Sequence, residues 1–335
     1  SAAEPWDAAR IAHLFRRTCF GASWSEIERA ASRQPAEVIA EIVTGRPGSI
    51  SPAADARSAD SPASEPWRTF EAEIGPLKTP VAESGDLEQV QALWLYRMLH
   101  SPHPLREKLT LFWHNHFATS AAKVRDLQLM IRQNELLRTH ALGRFDELLW
   151  LATIDAAMIV WLDSASNRKG HPNENYAREL MELFSLGVGN YTEKDIQEAA
   201  RALTGWRVSS GRPDFRLNEF DSGEKTVFGQ TGAWQAKDIV RLCTEQPACS
   251  RFVVRKLIAE FVGPEFARDD FVQPLAEWYR AEGFSTGRLI ERIVSSRLFF
   301  SDDARWTIVK SPVALLVGLV RSLEGRIGPD KLAKA

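Results

Sequence analysis

Cysteine is scarce in this chain of 335 residues: only Cys19, Cys243 and Cys249 occur. Cys243 and Cys249 lie six apart and would pair in an oxidising compartment. Cys19 would then be left over, so three reduced thiols are the expectation. No Cys-x-x-Cys is present, which excludes a zinc ribbon and a thioredoxin-type centre. No run of about 18 apolar residues exists, so no helix is expected to span a membrane. Charge of one sign is lacking too. The formal net charge is −2, which removes the electrostatic excess that draws nucleic acid or anionic lipid. The Gly-x-Gly-x-x-Gly fingerprint, the Walker loop and the Gly-x-Ser-x-Gly elbow are all missing, and with them the corresponding phosphate-binding and nucleophile chemistry. The N-terminus has no basic-then-apolar leader pattern. The chain as it stands therefore reads as cytoplasmic, or as periplasmic or secreted if a signal has been cropped.

What is present is a core. Hydrophobic residues make up 44% and charged residues 26%, with 11 Trp and 17 Phe. That composition fits a globular protein and argues against disorder. Helical spacing recurs along the sequence, while period-two strands are nearly absent. Helices are expected over Ala8–Phe20 and over Ser25–Thr44, the latter divided by Pro35. Others follow over Asp86–His100, Leu105–Phe117, Val124–Thr139, Phe145–Thr153 and Ala156–Asp163. A helical hairpin is expected from Glu174–Leu186 and a helix capped by Thr192, with Asp195 completing a capping box. Further helices fit Ala236–Thr244, Arg251–Phe261, Asp269–Ala281, Thr286–Ser296 and Val309–Ser322. The Pro-, Ser- and Ala-rich stretch 46–66 reads as a flexible loop. The Gly-containing stretch 207–235 reads as a long loop with one short hairpin near Asp221–Gly229. The expected fold is all-α, an irregular multi-helix array forming one domain over 1–335.

Four segments concentrate chemistry. In Trp113-His114-Asn115-His116-Phe117, positions i and i+2 of a helix point about 200° apart, so both imidazoles cannot serve one ion. His116 shares a face with Leu109, Phe112 and Trp113, and the plain alternative is a core histidine beside a surface one. In Asn173–Glu182, Glu174, Arg178 and Glu182 fall at i, i+4 and i+8, and Asn175, Glu179 and Glu182 at i, i+4 and i+7. One wide face thus carries three carboxylates, an amide and a guanidinium. Close carboxylates split their pKa values, as acid–base catalysis requires; the alternative is a salt-bridged structural face. Asp163, Asn167 and Glu174 fit three positions of a calcium loop, but Ala165 and Arg168 break that template. A different oxygen-ligand site at Asp163 stays open. Asp221 and Lys225 sit in a glycine-containing loop and read as active-site groups or as an ordinary turn.

Several of these segments resemble the bacterial family named domain of unknown function 1800. The resemblance rests on His13-Leu14-Phe15-Arg16-Arg17, on Phe112–Phe117, and on Trp161-Leu162-Asp163 running on to Asn173–Gly187. Tyr191-Thr192-Glu193, Ala199–Trp206, Lys256-Leu257 and Lys310-Ser311-Pro312 extend it over nearly the whole chain. Two departures stand out. The family pattern has His-Asp ahead of the loop lysine, where this chain has Phe220-Asp221. Members also continue into a Trp- and Gly-containing tail, so the resemblance implies either a short member or a chain from which a C-terminal part of the family domain has been cropped. Membership implies no reaction; the resemblance hints at an envelope or extracellular-polymer role. The leading expectation is a hydrolase acting on a polar polymer such as a glycan, or on a polar small molecule. Glu179 or Glu182 would be base or nucleophile and His114 or His116 acid or orienter. Asn115, Asn173, Glu174, Asn175, Arg178, Asp221 and Lys225 would bind substrate. The alternatives are a helical scaffold with an enzyme as protein partner, and a divalent-metal protein using Asp163 and His116.

Overall fold

The computed structural model of the protein describes residues 5–46, 65–325 and 327–328. Among them are 17 α-helices and two antiparallel two-stranded sheets, so the fold is mostly α. No helix of the described residues is long and apolar enough to cross a membrane. The chain divides into two compact units, one made of residues 1–111, 256–271 and 285–335, the other of 112–255 and 272–284.

In the first unit, local chemistry sets the helix ends. Asp7 caps Ala8–Thr18, a reciprocal Ser23–Glu26 capping box opens Trp24–Ala31, and Pro35 starts Pro35–Thr44, which ends at left-handed Gly45. The helix Pro312–Ser322, capped by Ser311, packs its Val317 against Phe20, Met98 and Leu99. Gly318 makes this possible, because a Cβ there would lie 2.5 Å from the Phe20 carbonyl. The stretch 46–66 falls outside the described residues except for its ends: Arg46, and Glu65–Pro66, which already belong to a helix. That helix, Glu65–Glu83, was invisible to the apolar-spacing argument because Pro76 and Pro80 lie inside it. Tertiary contacts hold it instead. Phe70 and Ile74 pack with Tyr96, Tyr96 donates to Glu73 at 2.6 Å, and buried Arg97 pairs with Glu71 at 2.9 Å.

The second unit has an aromatic core containing Trp113, Phe117, Phe145 and Phe184. The expected Val124–Thr139 helix is broken. Ala121–Val124 ends at Arg125, whose φ is +55°, and Leu127–His140 starts afresh under an Asp126 cap. The Glu174–Leu186 helix is also not uniform: an α-helical Asn175–Glu179 widens into a π-helical Leu180–Ser185. The stretch 207–235 holds two hairpins rather than one. β1 (Trp206–Ser209) pairs with β2 (Arg212–Phe215), and β3 (Lys225–Val227) with β4 (Gln230–Gly232). Each turns through two residues with positive φ, Ser210-Gly211 and Phe228-Gly229, the conformation that suits strand twist. Strands of three or four residues, half-buried in β1 and largely exposed in β2, carry no clear alternation, which is why the period-two signal missed them. Cys19, Cys243 and Cys249 are buried and free; burial pushes the Cys19 thiol up to about 11 and that of Cys243 up to about 12.

Candidate functional site

The polar face expected on Asn173–Glu182 is assembled by its own side chains. Asn167 is buried; its Nδ2 donates to the Ala200 carbonyl at 2.8 Å and its Oδ1 accepts from the Asn173 N–H at 2.9 Å. Asn173 Oδ1 accepts from the Asn175 N–H at 2.9 Å and its Nδ2 donates to Ser166 Oγ at 2.6 Å. The helix start is thereby pinned, leaving Asn175 exposed at its first turn. Tyr176 points the other way, buried, with its hydroxyl 2.9 Å from Thr153 Oγ1.

Arg178 bridges carboxylates from two helices. It donates to both Glu193 oxygens at 2.9 and 2.7 Å and to Glu174 at 3.2 Å. The same ion pair holds the Glu193 carboxyl below its ordinary range. At the next residue of the helix the situation reverses. Burial first, and the nearby Glu182 carboxylate second, raise the proton affinity of half-buried Glu179, with Arg178 opposing. Glu182 accepts from the Tyr191 hydroxyl at 2.6 Å. Burial and that carboxylate push Tyr191 up to about 12, so it remains a donor. The π-helical turn begins immediately after Glu179, and such turns occur frequently at functional sites. The arrangement is a carboxyl of raised proton affinity near a second one that accepts from a phenol.

The two histidines are placed differently. His116 is buried and its Nε2 donates to the Phe184 carbonyl at 3.0 Å. Its ring lies 4.8 Å from Phe117, 5.4 Å from Trp113 and 6.0 Å from Phe145, centre to centre. The helix Pro104–Phe117 and the π turn thus do meet, through an imidazole bonded to main chain. Burial lowers the proton affinity of His114, favouring its neutral form, and Asn115 is exposed.

Asp221 and Lys225 are brought together, but for the hairpin. Buried Lys225 donates to the Asp221 carbonyl and, at 3.0 Å, to that of Trp234, bracketing β3 and β4. Phe220, standing where the resemblance implies histidine, sets its ring 4.8 Å from this ammonium. Burial lowers the proton affinity of Lys225. The Asp221 carboxylate is held by Arg201 at 2.8 and 3.3 Å, which keeps it below its usual range. Asp163 is left-handed at φ +55° and pairs with Lys123 at 2.7 Å. Among the described residues no group of three or more His, Cys, Asp or Glu is placed to hold a metal ion. Asp163 beside Lys123 and His116 inside its aromatic cage lend the metal alternative no donor set.

Tyr191 and Glu193 were missed as members of this cluster. The signals were their place in the Tyr191-Thr192-Glu193 stretch of the family resemblance and their position just beyond Gly187 and Gly189, where the chain must turn back along the preceding helix. A family model described as protein of unknown function (DUF1800) matches residues 13–335, nearly the whole chain. No curated protein and no solved structure matches.

Proposed function

The chain belongs to that family of unknown function, and from this premise we propose that it is a hydrolase of a polar substrate, with a hydroxyl-rich polymer such as a glycan as the first class to test. The reading rests on one observation. Glu179 has a raised proton affinity, from burial and from Glu182, at the opening of the π-helical turn, while Tyr191 holds Glu182. Glu179 is the acid that protonates a leaving oxygen; Glu182 is the base or nucleophile. Two like carboxyls take opposite roles where their surroundings differ, and here burial acts on Glu179 while a phenol donates to Glu182. Asn175 and Asn115, both exposed, offer amides to substrate hydroxyls. Arg178, clamped between Glu174 and Glu193, ties the two helices together. His116 acts as a positioning residue that ties its helix to the π turn. A screen over polysaccharides and phosphate or sulfate esters, run with Glu179→Gln and Glu182→Gln beside the parent, tests the reading. Turnover should fall about 10²–10⁴-fold in either variant with the melting temperature unchanged. Full turnover in Glu179→Gln ends the assignment.

A second reading, a helical scaffold that assembles with an enzyme, is favoured by how much of the charged motif is engaged internally. Asp195 accepts from the Thr192 and Phe228 N–H groups, Arg201 holds Glu198 and Asp221, and Lys225 closes its hairpin. An inert screen, with Glu179→Gln less stable than the parent, would favour it.

A further inference from the structure

The second unit contains a cavity of about 400 Å³, within the roughly 300–1,000 Å³ typical of small-ligand pockets. It shares no residue with the Glu179 cluster. The helices Leu127–His140 and Phe145–Thr153 supply Leu129, Leu136 and Leu151, Ile154 follows, and Pro213 of the β1–β2 hairpin covers one side. The lining is predominantly apolar. Two arginines complete it, Arg132 from the helix and Arg212 from the hairpin, both exposed. Arg132 donates to the Gly211 carbonyl at 2.6 Å and so fastens the hairpin turn over the opening. Neither guanidinium has a carboxylate partner among the described residues.

The one acid in the lining is turned away from this task. Asp155 caps the helix Ala156–Trp161; its Oδ1 accepts from the Met158 N–H at 3.0 Å and from Gln133 Nε2 at 2.7 Å. An apolar hollow lined by cations that face no carboxylate, and whose inner acid is tied into a helix start, selects a molecule with an apolar body and an anionic end. Charge complementarity fixes the orientation, tail inward and head between the arginines, where bidentate geometry favours a carboxylate.

We propose that this cavity binds a free medium-chain carboxylate, its chain against Leu129, Leu136, Leu151 and Ile154 and its head on Arg132 and Arg212. Titration calorimetry on the whole chain tests it, with octanoate as the probe. Hexanoate, two methylenes shorter, should bind about tenfold more weakly. Methyl octanoate, which keeps the tail and loses the charge, should also bind about tenfold more weakly, which separates a free acid from an esterified acyl chain. Arg212→Gln should reduce octanoate affinity towards that of the ester and leave ester binding unchanged. Leu151→Trp, which fills the hollow, should abolish both. An unchanged melting temperature in each variant confirms that the fold is intact. Octanoate that does not bind at millimolar concentration, binds no better than its ester, or still binds Leu151→Trp as it binds the parent overturns the proposal.

Discussion

The Asn173–Glu193 segment and the Asp221–Lys225 loop both concentrate charge, yet the second unit treats them in opposite ways. In the loop every singled-out charge has found its complement: Asp221 has Arg201, and Lys225 has two carbonyls and an aromatic face. In the helix, Arg178 satisfies Glu174 and Glu193, while Glu179 and Glu182 are left beside each other. Charge density therefore does not mark a site. A like pair held together at partial burial is the feature that sets the helix apart from the loop, because it carries an electrostatic cost that the loop's paired charges do not.

Four measurements press on this contrast. The largest effect is expected in activity: Glu179→Gln should lose about 3–5 kcal/mol of transition-state stabilisation on a substrate found by screening, with urea unfolding shifted by less than about 0.5 kcal/mol. Lys225→Met should behave in the opposite sense. Two carbonyls lose their donor, so stability should drop about 2–4 kcal/mol in the same urea assay while any turnover persists in the folded fraction. Next comes Asp155, whose carboxyl burial pushes up to about 6. The folded state then holds the proton more tightly than the unfolded chain, so its contribution is complete below about pH 4 and is lost as pH rises through 6. Between pH 4 and 7 the parent should lose up to about 3 kcal/mol from this group, and Asp155→Asn should flatten that part of the stability profile. Glu179 contributes in the same direction. The smallest effect belongs to Tyr191→Phe, which removes one donor to Glu182 and should cost about 0.5–1.5 kcal/mol in the same urea assay. If Tyr191→Phe destabilises as much as Lys225→Met, the two regions are not different in kind.

Helices were legible wherever apolar spacing and caps agreed. Phe145–Thr153 and Asp269–Ala281 have their expected bounds, and Thr192 with Asp195 forms the capping box that their spacing implies. The internal prolines hid Glu65–Glu83, because what stabilises it lies on another helix. The hairpins were hidden by strand length, although Ser210-Gly211 was a readable turn signal. Within the polar face, the Glu174–Arg178 pair followed from i, i+4 spacing alone. The competing partner Glu193 did not, because it sits across a turn of undetermined angle. His116 was readable as inward-facing from Leu109, Phe112 and Trp113 on its side of the helix. Its acceptor was not, since a main-chain carbonyl on a π turn leaves no residue-type trace. Nothing local announced the cavity, whose walls come from segments up to about eighty positions apart.

The three inert thiols have a practical corollary. Cys19 belongs to one compact unit and Cys243 and Cys249 to the other, and each is sheltered and hard to ionise. A maleimide reagent can reach them only when the surrounding structure opens, so alkylation at Cys19 and at the Cys243–Cys249 pair times the breathing of each half separately. The native sequence carries its own two-channel clock for local unfolding, with no label to be engineered in.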